Sequence, residues 1–150
     1  MRLSFGCDEA ACEMKRILME HAAAQGHECV DCGVGAGEIN DYPIYAARAA
    51  IHVQSGDCQR GIVVCGTGIG VSIVSNKLPG IRCAHLTDCY SAVMCRAHND
   101  ANMAAFGARV TGPELAKMML DHFLNTPYEG GRHQRRVDAM RKLEAGEPIE

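Results

Sequence analysis

Gly61-Ile62-Val63-Val64-Cys65-Gly66-Thr67-Gly68-Ile69-Gly70 is the stretch whose reading decides the fold. Gly61 to Val64 is short, apolar after its glycine, and bounded by a turn signal, which reads as a buried strand. The alternating glycines that follow permit a tight turn and close approach of backbone N–H groups to a ligand. They lead into a helix expected to end near Asn76.

The same unit recurs on both sides. Leu3 to Gly6 predicts a strand, and Ala10 to Gln25 a helix with Met14, Ile17, Leu18 and Ala22 on one stripe, stopped by Gly26. Glu28 to Asp31 predicts a second strand, Gly33 to Asn40 a loop, and Tyr42 to Gln54 a helix with Pro43 in its first turn, where proline is tolerated. Beyond the central stretch, Arg82 to Leu86 predicts a fourth strand, Tyr90 to Arg96 a helix, Met103 to Phe106 a fifth strand and Pro113 to Leu124 a helix. A linker with Pro127, Gly130 and Gly131 precedes a last helix from about Arg132 to Ala145. Five strands each followed by a helix predict a parallel sheet with helices on both faces. Ligands of such sheets bind beyond the carboxyl ends of the strands, where the strand order reverses.

Composition narrows the function classes. At 150 residues the chain is expected to form one domain, 1–150. Its 47% apolar and 22% charged residues exclude a disordered or fibrous chain. A net charge of -3 and the absence of Trp argue against nucleic acid as a partner and against an anionic membrane surface. No apolar run approaches the ~20 residues of a membrane span, and the start lacks the pattern of a signal peptide. The nine cysteines therefore read as reduced thiols of a cytoplasmic protein. Cys29-Val30-Asp31-Cys32 has CxxC spacing but no second pair to complete a zinc site, and it ends a strand rather than opening a helix, so it reads as incidental.

The candidate chemistry lies at element ends. Cys65 closes a buried strand ahead of the glycine loop, where the following helix N-terminus favours a thiolate; the plain alternative is a small buried residue. A dinucleotide fingerprint would need GxGxxG after the first strand, although Asp88 lies at a suitable distance. A cysteine-phosphatase loop would need arginine where Val71 stands, and a phosphate loop of the Walker type would need Lys-Ser or Lys-Thr after Gly70. His98, in His98-Asn99-Asp100 between a helix and the fifth strand, is expected on the ligand-binding edge, where it would move protons. Asp8 ends the first strand; otherwise it caps the next helix. Arg132, His133, Arg135 and Arg136 open the last helix, against its dipole unless an anion binds there. Two arginines and a histidine suit a phosphate, with Arg109 as a further donor.

Taken together, these residues resemble the ribose-5-phosphate isomerase B family, within the wider group that includes galactose-6-phosphate isomerase subunits. The resemblance runs through Gly6-Cys7-Asp8, Asp41-Tyr42-Pro43, Cys65 to Gly70, Asn76-Lys77, Pro79-Gly80-Ile81-Arg82, His98-Asn99-Asp100-Ala101-Asn102, Phe106-Gly107-Ala108-Arg109-Val110 and Gly130-Gly131-Arg132-His133-Gln134-Arg135-Arg136-Val137. It implies a flavodoxin-like sheet and an aldose–ketose isomerisation of a sugar phosphate through an enediolate. Cys65 would be the base at C2, His98 would open the sugar ring, and Thr67 with the amides of Gly66, Gly68 and Gly70 would hold the enediolate oxygen. Asp8, Tyr42 and Asn99 would meet sugar hydroxyls, and Arg109, Arg132, His133 and Arg136 the phosphate. The resemblance also implies no metal or organic cofactor, and a homodimer whose last helix, Arg132 to Ala145, completes the partner's site; pairing into tetramers stays open. Glu9 stands where the family commonly has histidine. It either faces the sugar and selects it or points to solvent in the first helical turn. Ribose 5-phosphate is the expected substrate, with allose 6-phosphate, galactose 6-phosphate or a tetrose phosphate as alternatives. A non-catalytic phosphosugar sensor is the competing class and a dehydrogenase the third.

Overall fold

The central stretch forms β3 (Arg60–Cys65), the middle strand of a five-stranded sheet. The computed structural model describes residues 1–149. β1 (Arg2–Cys7) pairs with β3 on one side, with Phe5 opposite Ile62, and β5 (Met103–Gly107) on the other, with Val63 opposite Ala105. β2 (Glu28–Asp31) adds outside β1 and β4 (Cys83–His85) outside β5, giving the order β2-β1-β3-β5-β4, all parallel. The expected flavodoxin-like parallel sheet is present, with β5 lying inside β4 rather than outside it. The order reverses between β1 and β3. β4 is shorter than the predicted 82–86 because, as an edge strand, it is held only by its three-residue register with β5.

Period-two alternation sorts side chains between two helical layers. Ile62 and Val64 join Leu3, Phe5, Ala104 and Phe106 under α1 (Cys12–Ala24), α4 (Cys89–Ala97) and α5 (Pro113–Asn125), which contribute Leu18, Ala92, Met119, Leu120 and Phe123. Val63, Cys65, Met103 and Ala105 face α2 (Tyr42–Gln54) and α3 (Ile69–Ser75) through Ala46, Ala49, Ala50 and Val71. The alanine face of α2 lets it sit against the sheet almost backbone to backbone. Ser4 Oγ donates to the Ala49 carbonyl at 2.8 Å, and a Cβ on Gly6 would lie 2.4 Å from the Tyr45 carbonyl oxygen. Glycine at that position is a packing requirement.

α1 begins later than the spacing predicts, after a single 3₁₀ turn at Glu9–Ala11. α6 (Arg132–Glu144) belongs to neither layer: only His133 and Val137 are buried along it. Its far end lies beside the β4 edge, where the Glu144 carboxylate accepts from the Gly80 N–H at 2.9 Å. Among the described residues all nine cysteines, Cys29 and Cys32 included, are free thiols, and no helix is long and apolar enough to cross a membrane.

Gly6→Ala is expected to destabilise the fold by about 1–3 kcal/mol, the usual cost of overpacking a filled interior. A lowered urea midpoint with an unchanged slope checks this; an unaltered midpoint would mean that α2 does not sit so close.

Candidate active site

The glycine loop forms as the sequence predicts, at the carboxyl edge of the sheet. Cys65 is 5% exposed, and its Sγ accepts the Gly68 N–H at 3.2 Å. Gly68 takes φ +81°, the left-handed conformation that turns the strand into α3. The loop is clamped from three sides. The Ala108 and Arg109 amides donate to the Cys65 and Gly66 carbonyls at 2.9 Å. Gly107 lies so close that a Cβ there would meet the Thr67 carbonyl oxygen at 2.5 Å. His85, the last residue of β4, approaches the same oxygen through Nε2 at 2.8 Å. Over the loop, a Cβ on Gly70 would strike the Tyr42 ring at 2.7 Å, and one on Gly66 would touch the Arg109 side chain at 3.5 Å. Cys65, Thr67, Tyr42 and Arg109 therefore form one group. Its rigid wall is backbone, with the Gly68 amide held by Cys65 Sγ and the Ile69 amide by Thr67 Oγ1 at 3.3 Å.

Asp8 follows β1 on the neighbouring strand and completes this edge. It occupies the N-cap position of the 3₁₀ turn but makes no side-chain cap bond, and its Oδ1 is buried without a hydrogen-bond partner among the described residues. Burial raises its carboxyl above the ordinary range, opposed by the Ala10 and Ala11 amides and by Arg109. A buried acceptor left unpaired beside a cationic side chain fits a ligand hydroxyl better than a helix cap. Glu9 is exposed. Asn40 clasps it from both sides, its Oδ1 accepting the Glu9 amide at 2.8 Å and its Nδ2 donating to Glu9 Oε2 at 3.1 Å.

His98 is not on this edge, contrary to the sequence-based expectation. α4 runs antiparallel to the strands, so its C-terminus, and His98 with it, reaches the amino edge. There Arg82, just before β4, donates through Nε to the Asn99 carbonyl at 3.0 Å, and the Asn102 amide, just before β5, bonds the Arg82 carbonyl at 3.0 Å. Asp100 takes φ +47° and accepts from Arg82 and Arg96 at 3.0 and 2.9 Å, which fixes the turn carrying His98 and Asn99. The strands between the two edges are roughly 16 Å long, at ~3.3 Å per residue over β3. Within one chain His98 and Asn99 cannot reach a ligand held at Cys65.

The amino edge holds a second group. His98 and His133 stack with centroids 4.1 Å apart and planes 9° from parallel. Arg132 Nε and Arg136 Nη1 lie 3.4 Å from the two ring nitrogens of His133, and Glu129 Oε2 lies 3.5 Å from its Nε2. Burial lowers the His133 pKa, and His98, Arg132 and Arg136 lower it further against the pull of Glu129, so its imidazole is held neutral. Although His98, Glu129 and His133 present donor atoms within 4.8 Å, stacked rings have parallel rather than converging lone pairs, and two guanidiniums stand beside them. The group suits an anion better than a metal ion.

Sequence reasoning missed His85, Asn40 and Glu129. A strand ending at His85 instead of Leu86 would have brought that histidine among the strand-end residues. The other two carry no signal except their neighbours in the fold.

Residues 3–140 match the family described as Ribose/Galactose Isomerase. Ribose-5-phosphate isomerase B of Escherichia coli (strain K12) is 46% identical over 143 residues, covering 95% of this chain and 96% of that one. D-erythrulose-4-phosphate isomerase of Pectobacterium atrosepticum is 39% identical over 141 residues, 93% of each chain. The structure of ribose-5-phosphate isomerase B from Clostridium thermocellum superposes with a TM-score of 0.94 at 42% identity, covering 97% of this chain and 99% of that one. With its parallel sheet, its strand-end cysteine and glycine loop, and this similarity along nearly all its length, the chain belongs to the ribose/galactose isomerase family.

Proposed function

We propose that this protein interconverts an aldose phosphate and its ketose through an enediolate, with ribose 5-phosphate and ribulose 5-phosphate as the pair, and that two chains build each site. The observation that carries the proposal is the division of the chemistry between two edges of one sheet. Cys65, Thr67, Asp8, Tyr42 and Arg109 stand at the carboxyl edge, while His98, Asn99, Arg132, His133 and Arg136 stand at the amino edge. Neither group alone can bind and isomerise a cyclic sugar phosphate, and a homodimer with the α6 arm of each chain against the other's glycine loop joins them. Two features favour such a partner. α6 has little burial of its own, and Ile69, Ile73 and Tyr90, near the glycine loop, are 51%, 55% and 74% exposed. Nine free thiols suit the reducing cytoplasm.

Each step rests on this geometry. His98 of one chain takes the proton of the anomeric C1 hydroxyl and returns one to the ring oxygen as the bond between C1 and that oxygen breaks, giving the open aldehyde. Cys65 of the other chain, as thiolate, removes the proton at C2 and delivers it to C1. The enediolate oxygen formed between these transfers faces Thr67 and the Gly66 and Gly70 amides, and the hydroxyl proton of O2 passes to O1 to leave the C2 ketone. Asp8, with its unpaired Oδ1, accepts from a sugar hydroxyl, and Tyr42 and Asn99 contact others. Arg109 meets the phosphate together with the partner's helix N-terminus. No step needs a metal or organic cofactor. A four-carbon substrate is the second reading, favoured by the Pectobacterium relative, whose name is that of a tetrose-phosphate isomerase.

A panel of four-, five- and six-carbon aldose phosphates, assayed for ketose formation and solvent deuterium at the transferred position, tests the reaction and ranks the sugars. Turnover of none would leave the chain a phosphosugar sensor. Cys65→Ser is expected to lower turnover by roughly 10²–10⁴-fold, as for loss of a positioned base, while phosphosugar binding persists. Near-normal turnover would place the base elsewhere. His98→Asn should slow ribose 5-phosphate strongly and a tetrose phosphate, which forms no furanose ring, little. Equal losses on both would remove His98 from ring opening.

A further inference from the structure

Glu129 lies outside every helix and strand, in the linker between α5 and α6. Its amide N–H donates to the Ala97 carbonyl at 3.0 Å, which pins the residue against the end of α4 beside His98. Its Oε2 stands 3.9 Å from His98 Nε2 and 3.5 Å from His133 Nε2. The two contacts are not equivalent. Each nitrogen of His133 already faces a guanidinium, Arg132 at Nε2 and Arg136 at Nδ1. A guanidinium only donates, so the His133 nitrogens are occupied as acceptors or crowded by cations. Among the described residues Glu129 is the one acidic group within 4.0 Å of a His98 nitrogen, and His133 stacks on one face of its ring. The carboxylate is 57% exposed and free to turn the remaining distance, since 3.9 Å is ion-pair range and not a hydrogen bond.

We infer that Glu129 is a positioning residue for the ring-opening histidine: its carboxylate holds the proton of His98 on Nε2 and leaves Nδ1 as the nitrogen that exchanges protons with the sugar, while His133 fixes the plane of the ring. The inference rests on the ring-opening reading of His98. A carboxylate on one nitrogen of an imidazole sets the tautomer and orientation of the other. His133, buried and held neutral, serves here as a platform, and the phosphate is left to the arginines around it.

The test uses the full-length protein and Glu129→Gln, an isosteric change at an exposed side chain. Nitrogen-15 shifts of the His98 ring at alkaline pH, assigned by their loss in His98→Asn, report its tautomer without any substrate. The inference predicts that Glu129→Gln shifts the population away from the Nε2–H form. It also predicts a fall in kcat on ribose 5-phosphate of roughly 10- to 100-fold, the size of the loss when a metal-bound histidine loses its carboxylate partner. KM should change by less than about twofold, the rate on a tetrose phosphate should hold, and Glu129→Asp should recover part of the loss. An unchanged tautomer with unchanged turnover, or equal losses on both sugars, would overturn it. If His98→Asn itself leaves ribose 5-phosphate turnover intact, the ring-opening reading falls and the inference with it; a normal His98→Asn defect with a silent Glu129→Gln overturns the inference alone.

Discussion

In a sheet whose strands all run one way, every connecting helix must run back. Residues just after a strand and residues just after a helix therefore lie at opposite edges, separated by the length of a strand. This constraint governs the whole arrangement of chemistry here. Cys65, Asp8 and Arg109 come after strands and gather at the carboxyl edge, beside the point between β1 and β3 where the order reverses. His98 caps α4, and Arg132 to Arg136 open an arm reached through α5, so they gather at the other edge. On the proposed reading, connectivity divides one set of reactive groups into two halves that a single copy of the fold does not close.

Each half is rigid for a different reason. The carboxyl edge is built from close contacts that glycine allows: Gly107 under the Thr67 carbonyl and Gly70 under the Tyr42 ring. A loop locked in this way presents its amides without reorganising when charge develops in front of them. The amino edge is built from charge and stacking. Asp100 in its left-handed conformation ties Arg82 and Arg96 together, and that tie sets the turn from which His98 leans on His133. A sugar phosphate needs both kinds of surface, neutral donors for the enediolate and fixed cations for the phosphate.

Much of this is legible in the sequence. The wholly apolar run of β3 and the glycines behind it mark both the fold and the strand-end position of Cys65, because strand burial and turn chemistry are local properties. The same holds for the helix stripes and for the start of α6 at Arg132. The failures are also physical. His98 precedes a strand in sequence, which suggests the ligand edge, but an element's direction is a property of the topology, and α4 points the other way. The plain reading of Asp8 as a cap fails because a 3₁₀ turn at Glu9–Ala11 intervenes before α1, the side chain makes no cap bond, and its Oδ1 is left without a partner. The two readings of Glu9 turn on a partner, Asn40, in a loop whose path no periodicity predicts. Glu129 sits in a linker, where no pattern constrains a side chain, and its meaning comes only from the two histidines that the fold brings to it.

The central claim is that each site takes Cys65 from one chain and His98 from another. Mixing two inactive variants, Cys65→Ser and His98→Asn, and allowing subunits to exchange tests it most directly. In a mixed dimer one site carries both defects and the other carries neither. With random exchange about half the dimers are mixed, each with one intact site of two, so activity on ribose 5-phosphate should rise to about one quarter of wild type. Activity that stays at the level of the separate variants, with exchange verified by mass spectrometry, would put Cys65 and His98 of the same chain in one site and contradict the account.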